Sequence, residues 1–306
     1  METNNKSRVL MGTLCMLAST ICYGFISTIS IKALNAGAAT ETILFDKFLY
    51  AAILIWAYIF IKKIPFKIEK SQILMLIAVI VSYNMLALCL YEAFNYIPGN
   101  LTIVLNFTYP AMIIVFEALT GRARFSIIRA GSILFSVIGF VLIVCEESIT
   151  LSVIGIVFAI GAAVSQACYV IALGSDRVKR LHPIAAAGYV TAGATVFNLV
   201  RTAFSGEALF TSGGEQLVWT LVLSFFCAFL AILLFCIGVN MIGSGKAAVI
   251  NTLEPVVACV AGYVFLSETM TFTMALGCVA IVIAVFIINF DGKTPKNRQE
   301  CLVQRR

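Results

Sequence analysis

Long apolar stretches fill most of this chain, and short polar connections separate them. Ten of these stretches come close to the ~20 residues that a helix needs to cross a hydrocarbon core of about 30 Å. The first stretch runs past that length and nine others follow, so we interpret it as a true span and not as a cleaved signal peptide. The predicted spans are residues 10–32, 41–61, 72–94, 100–119, 128–145, 151–173, 183–204, 216–238, 246–265 and 272–290.

The composition of the chain agrees with this pattern. Hydrophobic residues make up 61% of it and charged residues only 12%, whereas a soluble domain carries about 25% charged residues. A soluble two-domain protein of 306 residues would need far more polar surface. The predicted fold class is therefore an all-α integral membrane protein with ten transmembrane helices.

The basic residues fall on alternate connections. With the N-terminus inside, all 21 Lys and Arg residues except Lys32, Lys47 and Arg201 lie on the inner side. This bias predicts cytoplasmic termini and a place in the inner or plasma membrane. It also explains the net charge of +6, so nucleic acid is not an expected partner. The short basic tail is the one segment for which nucleic-acid binding stays an alternative. The outer connections carry acids instead, namely Glu146, Glu147, Glu207 and Glu215.

Two segments of the chain repeat each other. Residues 95–112 read NYIPGNLTIVLNFTYPAM and residues 240–257 read NMIGSGKAAVINTLEPVV, at a constant offset of 145. An ungapped match of polar and proline positions is unlike chance similarity between two apolar segments, so the chain is interpreted as a duplication of one five-helix unit. The matched pairs here and at nearby offsets are Asn95 with Asn240, Asn106 with Asn251, Tyr109 with Glu254, Pro110 with Pro255, Gly131 with Gly277, Gly12 with Gly155, and Tyr23 with Gln166.

Because five is odd, the second copy of the unit must cross the bilayer upside down. Inverted repeats are the construction of many secondary transporters, whose substrate site lies near the midplane between the repeats. The expected partners are therefore a small molecule and the lipid bilayer, with the protein acting as a monomer or a homodimer. The predicted organisation is a cytoplasmic N-terminus (1–9), a first repeat (10–145), a second repeat (151–290) and a basic cytoplasmic tail (291–306).

The segment LEPVVACVAGYVFLSETMTFTMALG, residues 253–277, resembles the drug/metabolite transporter superfamily and its ten-helix EamA-type branch. The shared features are a mid-helix proline, small residues, a Glu after an apolar run (Glu268), then Thr and Gly. Lys47 fills the place of a basic residue early in helix 2, where Arg is commoner in that family. The resemblance spans about residues 11–290 and implies export of amino acids, related metabolites or toxic organic compounds.

A carboxylate deep in the ninth span is the leading candidate for function. Glu254 lies eight residues past Lys246, about 12 Å into the membrane, and ionisable groups at that depth usually serve function. Pro110 and Pro255 free backbone groups that are tolerated beside a cavity. Glu254 either lines a substrate cavity or, as a neutral hydrogen-bonded acid, locks the repeats together. Two matching polar stripes are formed by Asn251 and Glu254 on helix 9 and by Thr102, Asn106 and Tyr109 on helix 4.

Further polar side chains are expected near this depth. Tyr23, Gln166 and Tyr169 suit either a small polar metabolite or ordinary hydrogen bonds between helices. Lys47 is expected to meet a substrate carboxylate or to extend outward as an interfacial anchor, the latter slightly favoured, and its neighbour Asp46 must have a different partner. Interfacial anchoring is also the favoured interpretation of three residues near span ends, Lys32, Glu92 and Glu117.

Several other functions are not expected. The segment NMIGSGKAA, residues 240–248, lacks the glycine and the Ser or Thr that a phosphate-binding loop needs. The single histidine, His182, precedes Pro183 in a connection and is interpreted as a residue that opens helix 7. The ten cysteines are scattered and suit packing. We therefore expect no enzyme activity, no metal and no cofactor.

The predicted function is secondary transport of a small metabolite, with proton coupling if Glu254 titrates. The sites assigned to substrate are Tyr23, Asn106, Tyr109, Gln166, Tyr169, Asn251 and Glu254, and those assigned to coupling or gating are Glu254, Pro110, Pro255 and Lys47. The alternatives are a facilitator or antiporter without proton coupling, a multidrug exporter, and a membrane scaffold or receptor.

Overall fold

The computed structural model describes residues 2–119, 127–144, 152–173, 175, 177–211, 213–242, 250–251 and 253–290. Regular structure in these ranges is entirely helical. Lys246, the connection 146–150 and the tail 291–306 lie outside the described residues, as do the side chains of Pro110 and Glu117.

The described part of the first half contains seven helices, and the predicted fourth span is divided between two of them. The helices are α1 (Glu2–Gly24), α2 (Ile26–Asn35), α3 (Thr40–Ile61), α4 (Lys70–Phe94), α5 (Gly99–Asn106), α6 (Tyr109–Leu119) and α7 (Ile127–Val144).

The second half continues with a short 3-10 turn at Val178–Arg180 and a π-helical segment at Leu223–Leu230. His182 accepts a hydrogen bond from the N–H of Ile184 at the start of α9, as expected for a residue that opens this helix. The α-helices of this half are α8 (Val153–Leu173), α9 (Pro183–Ser205), α10 (Gly214–Val222), α11 (Ala231–Ile242), α12 (Glu254–Leu266) and α13 (Phe272–Phe290).

Among the residues that the structure describes, six helical runs are long and apolar enough to cross a membrane, which makes this a multi-pass membrane protein. They match the predicted first to third and sixth to eighth spans. The runs are Val9–Asn35, Thr40–Ile61, Lys70–Phe94, Val153–Leu173, Pro183–Ser205 and Gly214–Gly238, and the shorter apolar helices are Ile133–Leu142, Glu254–Leu266 and Phe272–Ala284.

Proline explains why α5 and α6 are separate helices. Pro110 has no N–H, so the carbonyl of Asn106, four residues earlier, receives no helical hydrogen bond from it. The same reasoning applies to Pro255 and the carbonyl of Asn251, just before α12. In each half of the chain, a proline therefore interrupts the helix next to an asparagine.

Helices of the first half pack mainly against helices of the second half. The extensive pairs are α1 with α11, α4 with α8, α3 with α9 and α7 with α13. A Cβ atom at Gly12 on α1 would lie 2.6 Å from both Met241 Cβ and Ile242 Cγ2 on α11. A Cβ atom at Gly155 on α8 would lie 2.7 Å from Ile97 Cγ2, just after α4. Because Ile97 precedes Ile242 by 145 residues, the two close approaches are equivalent.

Polar contacts hold each end of the bundle. At one end, Nη2 of Arg201 lies 2.7 Å from Oε1 of Glu41 and 2.8 Å from Oε1 of Glu92. At the other end, the hydroxyl of Tyr189 donates to the carbonyl of Phe66 at 2.6 Å. The connection after α3 therefore lies beside the first turns of α9.

Candidate functional site

Asn106 joins the two halves of the chain through a side-chain hydrogen bond. Its Nδ2 donates to Oε1 of Gln166 on α8 at 2.5 Å. Asn106 is almost fully buried, and its Oδ1 has no hydrogen-bond partner among the described residues. The Nδ2 group of the amide at the end of α5 therefore has a hydrogen-bond partner, whereas its Oδ1 atom has none among the described residues.

Asn251 forms the corresponding junction from the second half. Its Nδ2 donates to Oε2 of Glu254 at 3.2 Å, and its Oδ1 accepts from the hydroxyl of Thr20 on α1 at 3.4 Å. Thr20 lies three residues before Tyr23, the position matched to Gln166. Asn106 therefore bonds to α8, the first long helix of the second half, and Asn251 bonds to α1, the first long helix of the first half.

Four tyrosines surround this polar group. Tyr23 lies close enough to Tyr83, Tyr169 and Glu254 for electrostatic interaction, and Tyr109 lies similarly close to Glu254. The rings of Tyr83 and Tyr169 have centroids 5.1 Å apart. These side chains are only partly buried although they belong to packed helices. The result is a cluster of hydroxyl, amide and carboxyl groups drawn from both halves.

The structure thus brings most of the predicted substrate residues into one neighbourhood. Tyr23, Tyr109, Asn251 and Glu254 meet directly or by electrostatic proximity, and Gln166 reaches Asn106. Pro255 is buried in the first turn of α12.

Tyr83 belongs to the cluster but was not predicted from the sequence. Its place in the short polar segment Ser82-Tyr83-Asn84 of α4 was the available signal. A tyrosine in such a segment does not reveal its partners, since these come from α3 and α8.

Lys47 lies in a second polar group, formed by α2, α3 and α4. Its side chain is 4% exposed, and Nζ donates to the hydroxyl of Tyr91 at 3.2 Å. Nζ also lies 4.9 Å from the ring centroid of Tyr91 and 5.1 Å from that of Phe48. The favoured prediction of an interfacial anchor is wrong, because the amine points into the protein and not toward the membrane surface.

Asp46 has a partner of its own, as expected because adjacent residues of a helix do not face each other. Its Oδ2 accepts from both the backbone N–H and the hydroxyl of Thr211, each at 2.9 Å. The hydroxyl of Thr42, one turn earlier, donates to the carbonyl of Ala208 at 2.6 Å. Asp46 therefore fastens the connection after α9 onto α3.

Two other predicted anchors lie at the rim of the bundle. Glu92 pairs with Arg201, and Nζ of Lys32 lies 5.4 Å from the ring centroid of Trp219. A cavity of about 310 Å³ opens beside Lys32 and Trp219, and one of about 530 Å³ opens beside Thr40. Neither cavity is bordered by Glu254.

Glu268 has a structural role that its place in the family pattern did not reveal. Its carboxylate accepts from the N–H of Gly99 at 2.7 Å and of Asn100 at 3.2 Å, which cap the start of α5. Burial raises the pKa of Glu268, and these two hydrogen bonds lower it in part. The connection after α12 is thereby tied to α5.

No group of three or more His, Cys, Asp or Glu side chains suited to a metal ion occurs among the described residues.

The family that matches this chain, and the relative whose name states a function, are both described as transporters. The EamA-like transporter family matches it over residues 10–145 and again over 153–290. A Bacillus subtilis (strain 168) protein named uncharacterized transporter YvbV is 26% identical over 210 residues, which are 66% of this chain and 67% of the relative. One crystal structure, 14% identical, has a TM-score of 0.66 and covers 93% of this chain and 98% of its own, a likeness of fold alone.

Proposed function

Because this chain belongs to the EamA-like transporter family, and is therefore a membrane transporter and not an enzyme, we propose that it exports small metabolites by secondary active transport. The substrates are amino acids or related organic compounds. Alternating access takes place around a midplane site between two inverted five-helix repeats. The pair of cross-repeat junctions, Asn106 with Gln166 and Thr20 with Asn251 and Glu254, is the observation that carries this proposal.

The exchanged packing of the helices supports the inverted arrangement. Gly12 meets α11 as Gly155 meets the residues after α4, which is the relation expected when one repeat is rotated onto the other. Two bundles related in this way can rock about a fixed site, opening it first to one side and then to the other. We place ten spans across the inner or plasma membrane in this arrangement, with both termini in the cytoplasm as the bias of basic residues predicts.

The substrate contacts in this proposal are hydrogen bonds from tyrosines and amides around Glu254. Tyr23, Tyr109 and Tyr169 offer hydroxyl groups without the desolvation penalty of a charge. Their partial exposure within the bundle favours a cavity over a closed lock. In this proposal Gln166 and the two asparagines fix the orientation of the substrate, while the aromatic rings cover its apolar part.

Glu254 couples transport to protons in this mechanism. A carboxyl group in a low-dielectric interior exchanges its proton readily when substrate binds beside it. Alternating access then exposes the same group to each side in turn. The breaks at Pro110 and Pro255 lie next to the junctions and provide the points where the helices bend.

One observation favours a second candidate, a facilitator or antiporter without proton coupling. The amide of Asn251 donates to Glu254, and a hydrogen bond of this kind stabilises the charged carboxylate. In that case Glu254 binds substrate and stays ionised. The aromatic lining also suits multidrug efflux, whereas family membership favours transport over a membrane scaffold or receptor.

The thermal stability of the purified protein in the presence of a metabolite panel tests the proposal. A ligand at a hundred times its dissociation constant stabilises the folded state by about 2.7 kcal/mol. We expect an amino acid or related compound to stabilise the wild type but not Glu254→Gln. Glu207→Gln, which changes an exposed acid in the connection after α9, is the matched control. Equal stabilisation of all three proteins would remove Glu254 from the site.

A further inference from the structure

Lys47 is a buried cation without an acidic partner among the described residues. Its contacts are the hydroxyl and ring of Tyr91, the ring of Phe48 and electrostatic proximity to Cys227. Charged groups inside a membrane protein normally pair with one another or mark the path of a substrate. We propose that Lys47 and Tyr91 form the recognition point for the carboxylate of the transported molecule, an inference that rests on the proposed export function.

A series of hydrogen bonds leads from Lys47 through the hydroxyls of Tyr91 and Ser30 to the carbonyl of Ile26. The hydroxyl of Ser30 lies 2.6 Å from the carbonyl of Ile26 and 2.9 Å from the hydroxyl of Tyr91. A carbonyl only accepts, so Ser30 donates its single proton to Ile26 and Tyr91 donates to Ser30. Lys47 then donates to Tyr91. The hydroxyl oxygens of Tyr91 and Ser30 each take part in two of these hydrogen bonds. The ammonium group of Lys47 keeps two N–H donors for another acceptor.

A second unoccupied donor lies on α2, the helix that also carries Ser30. The hydroxyl of Ser27, one helical turn before Ser30 on α2, is fully buried and has no partner in the described part of the structure. A group of donors with one positive charge suits an anion that brings its own acceptor oxygens. The single charge of Lys47 matches a carboxylate better than the double charge of a phosphate ester.

The thiol of Cys227 on the π-helical segment lies within electrostatic range of both Lys47 and Glu254. The recognition point therefore lies near the same helical segment as Glu254. The carboxylate alone defines the class of molecule that Lys47 selects, and the α-amino acids of the proposed function belong to this class.

A matched pair of substrate mixtures tests this selection in reconstituted vesicles. One mixture holds the twenty protein amino acids, and the other holds the amines obtained by removing the α-carboxyl group from each. Export is measured by mass spectrometry for the wild type and Lys47→Met. We expect the wild type to export at least one amino acid and the variant to export it about tenfold more slowly or worse. Export of the corresponding amine should be unchanged.

Two further variants separate recognition from folding. Lys32→Met removes a lysine that also lies over an aromatic ring, but at the rim, and should export like the wild type. Tyr91→Phe keeps Lys47 and the ring, and should slow export of the amino acid but not of its amine. This variant decides the question if Lys47→Met does not fold.

The outcomes distinguish the two proposals. Unchanged amino-acid export in Lys47→Met, or in Tyr91→Phe if Lys47→Met is unfolded, overturns the role of Lys47. Export of amines but not of amino acids by the wild type overturns it as well, while the protein remains an exporter of small metabolites. Export of nothing from either mixture contradicts the proposed function and removes the basis of this inference.

Discussion

At the scale of single residues, an asparagine placed four positions before a proline recurs in both halves. The proline leaves the backbone carbonyl of the asparagine without its helical donor, and the side chain bonds to the other half of the chain. Asn106 and Asn251 thus combine a weakened helix with a cross-repeat contact. This combination permits bending at the same point where polar groups meet.

Glu254→Gln is expected to abolish coupled transport while the protein remains folded. The amide has nearly the same shape and still accepts from Asn251, but it cannot carry a proton between the two sides. The measurement is uptake or efflux in vesicles across an imposed pH gradient, with Glu207→Gln as control. Normal transport by Glu254→Gln across that gradient would contradict proton coupling through this residue.

At the scale of helices, close approaches through small residues hold neighbouring elements together. A Cβ atom at Gly139 on α7 would lie 2.6 Å from the carbonyl oxygen of Gly277 and 2.7 Å from Cγ1 of Ile281, both on α13. Small residues of this kind let two membrane helices pack backbone to backbone. The contact between α7 and α13 therefore depends on Gly139.

Gly139→Ala is expected to lower stability by about 1–3 kcal/mol, because the added methyl group meets backbone atoms that cannot move aside alone. Gly131, on the same helix, has no atom within 4 Å of an added Cβ atom. Gly131→Ala should therefore be neutral or stabilise the helix by up to about 1 kcal/mol. Thermal unfolding of both variants in detergent measures the difference. Equal effects of the two substitutions would show that Gly139 is not in close contact with α13.

The cap that Glu268 places on α5 gives a pH-dependent prediction. Because burial raises the pKa of Glu268 above its ordinary value of 4.5, the folded protein binds this proton more tightly than the unfolded chain does. The resulting stability is fully present below pH 4.5 and is lost as pH rises through the raised pKa.

We therefore expect the melting temperature of the wild type, relative to Glu268→Gln, to fall as the pH rises above about 4.5. Glu268→Ala, which leaves the N–H groups of Gly99 and Asn100 without this acceptor, should be less stable than either protein by about 1–2 kcal/mol. A constant difference between wild type and Glu268→Gln across this range would mean that the carboxyl group is not desolvated.

At the scale of the whole molecule, the polar contacts divide the bundle into two ends. Arg201, Glu41 and Glu92 mark one end, and the contact of Tyr189 with Phe66 marks the other. The bias of basic residues predicts that the second end faces the cytoplasm. Both ends therefore carry contacts between the two repeats.

Cysteine labelling from outside sealed cells tests this orientation. Single cysteines introduced at positions 146–150 and 206–214 should react with an impermeant reagent, and those at 63–70 should not. Labelling after permeabilisation is the control that the latter positions are accessible at all. Reaction of positions 63–70 in sealed cells would reverse the topology.

The sequence by itself determined the membrane class of this protein and the positions of most helices. Both follow from local properties, since the length of an apolar run and the presence of a proline need no knowledge of distant partners. The prolines and asparagines also indicated where polar groups would occur. The interruption between α5 and α6 at Phe107 and Thr108 was not predicted, because the span was placed by its length and Pro110 was interpreted as a residue beside a cavity and not as a break between two helices.

Only the tertiary structure decided which polar groups meet. The sequence left Lys47 between two interpretations and favoured the wrong one, because its depth along α3 does not reveal that Tyr91 stands opposite. Glu268 and Gly99 are 169 residues apart along the chain, and Thr20 and Asn251 are 231 apart. Such contacts arise when helices of the two halves pack together, so they depend on the relative placement of whole helices and not on any local pattern.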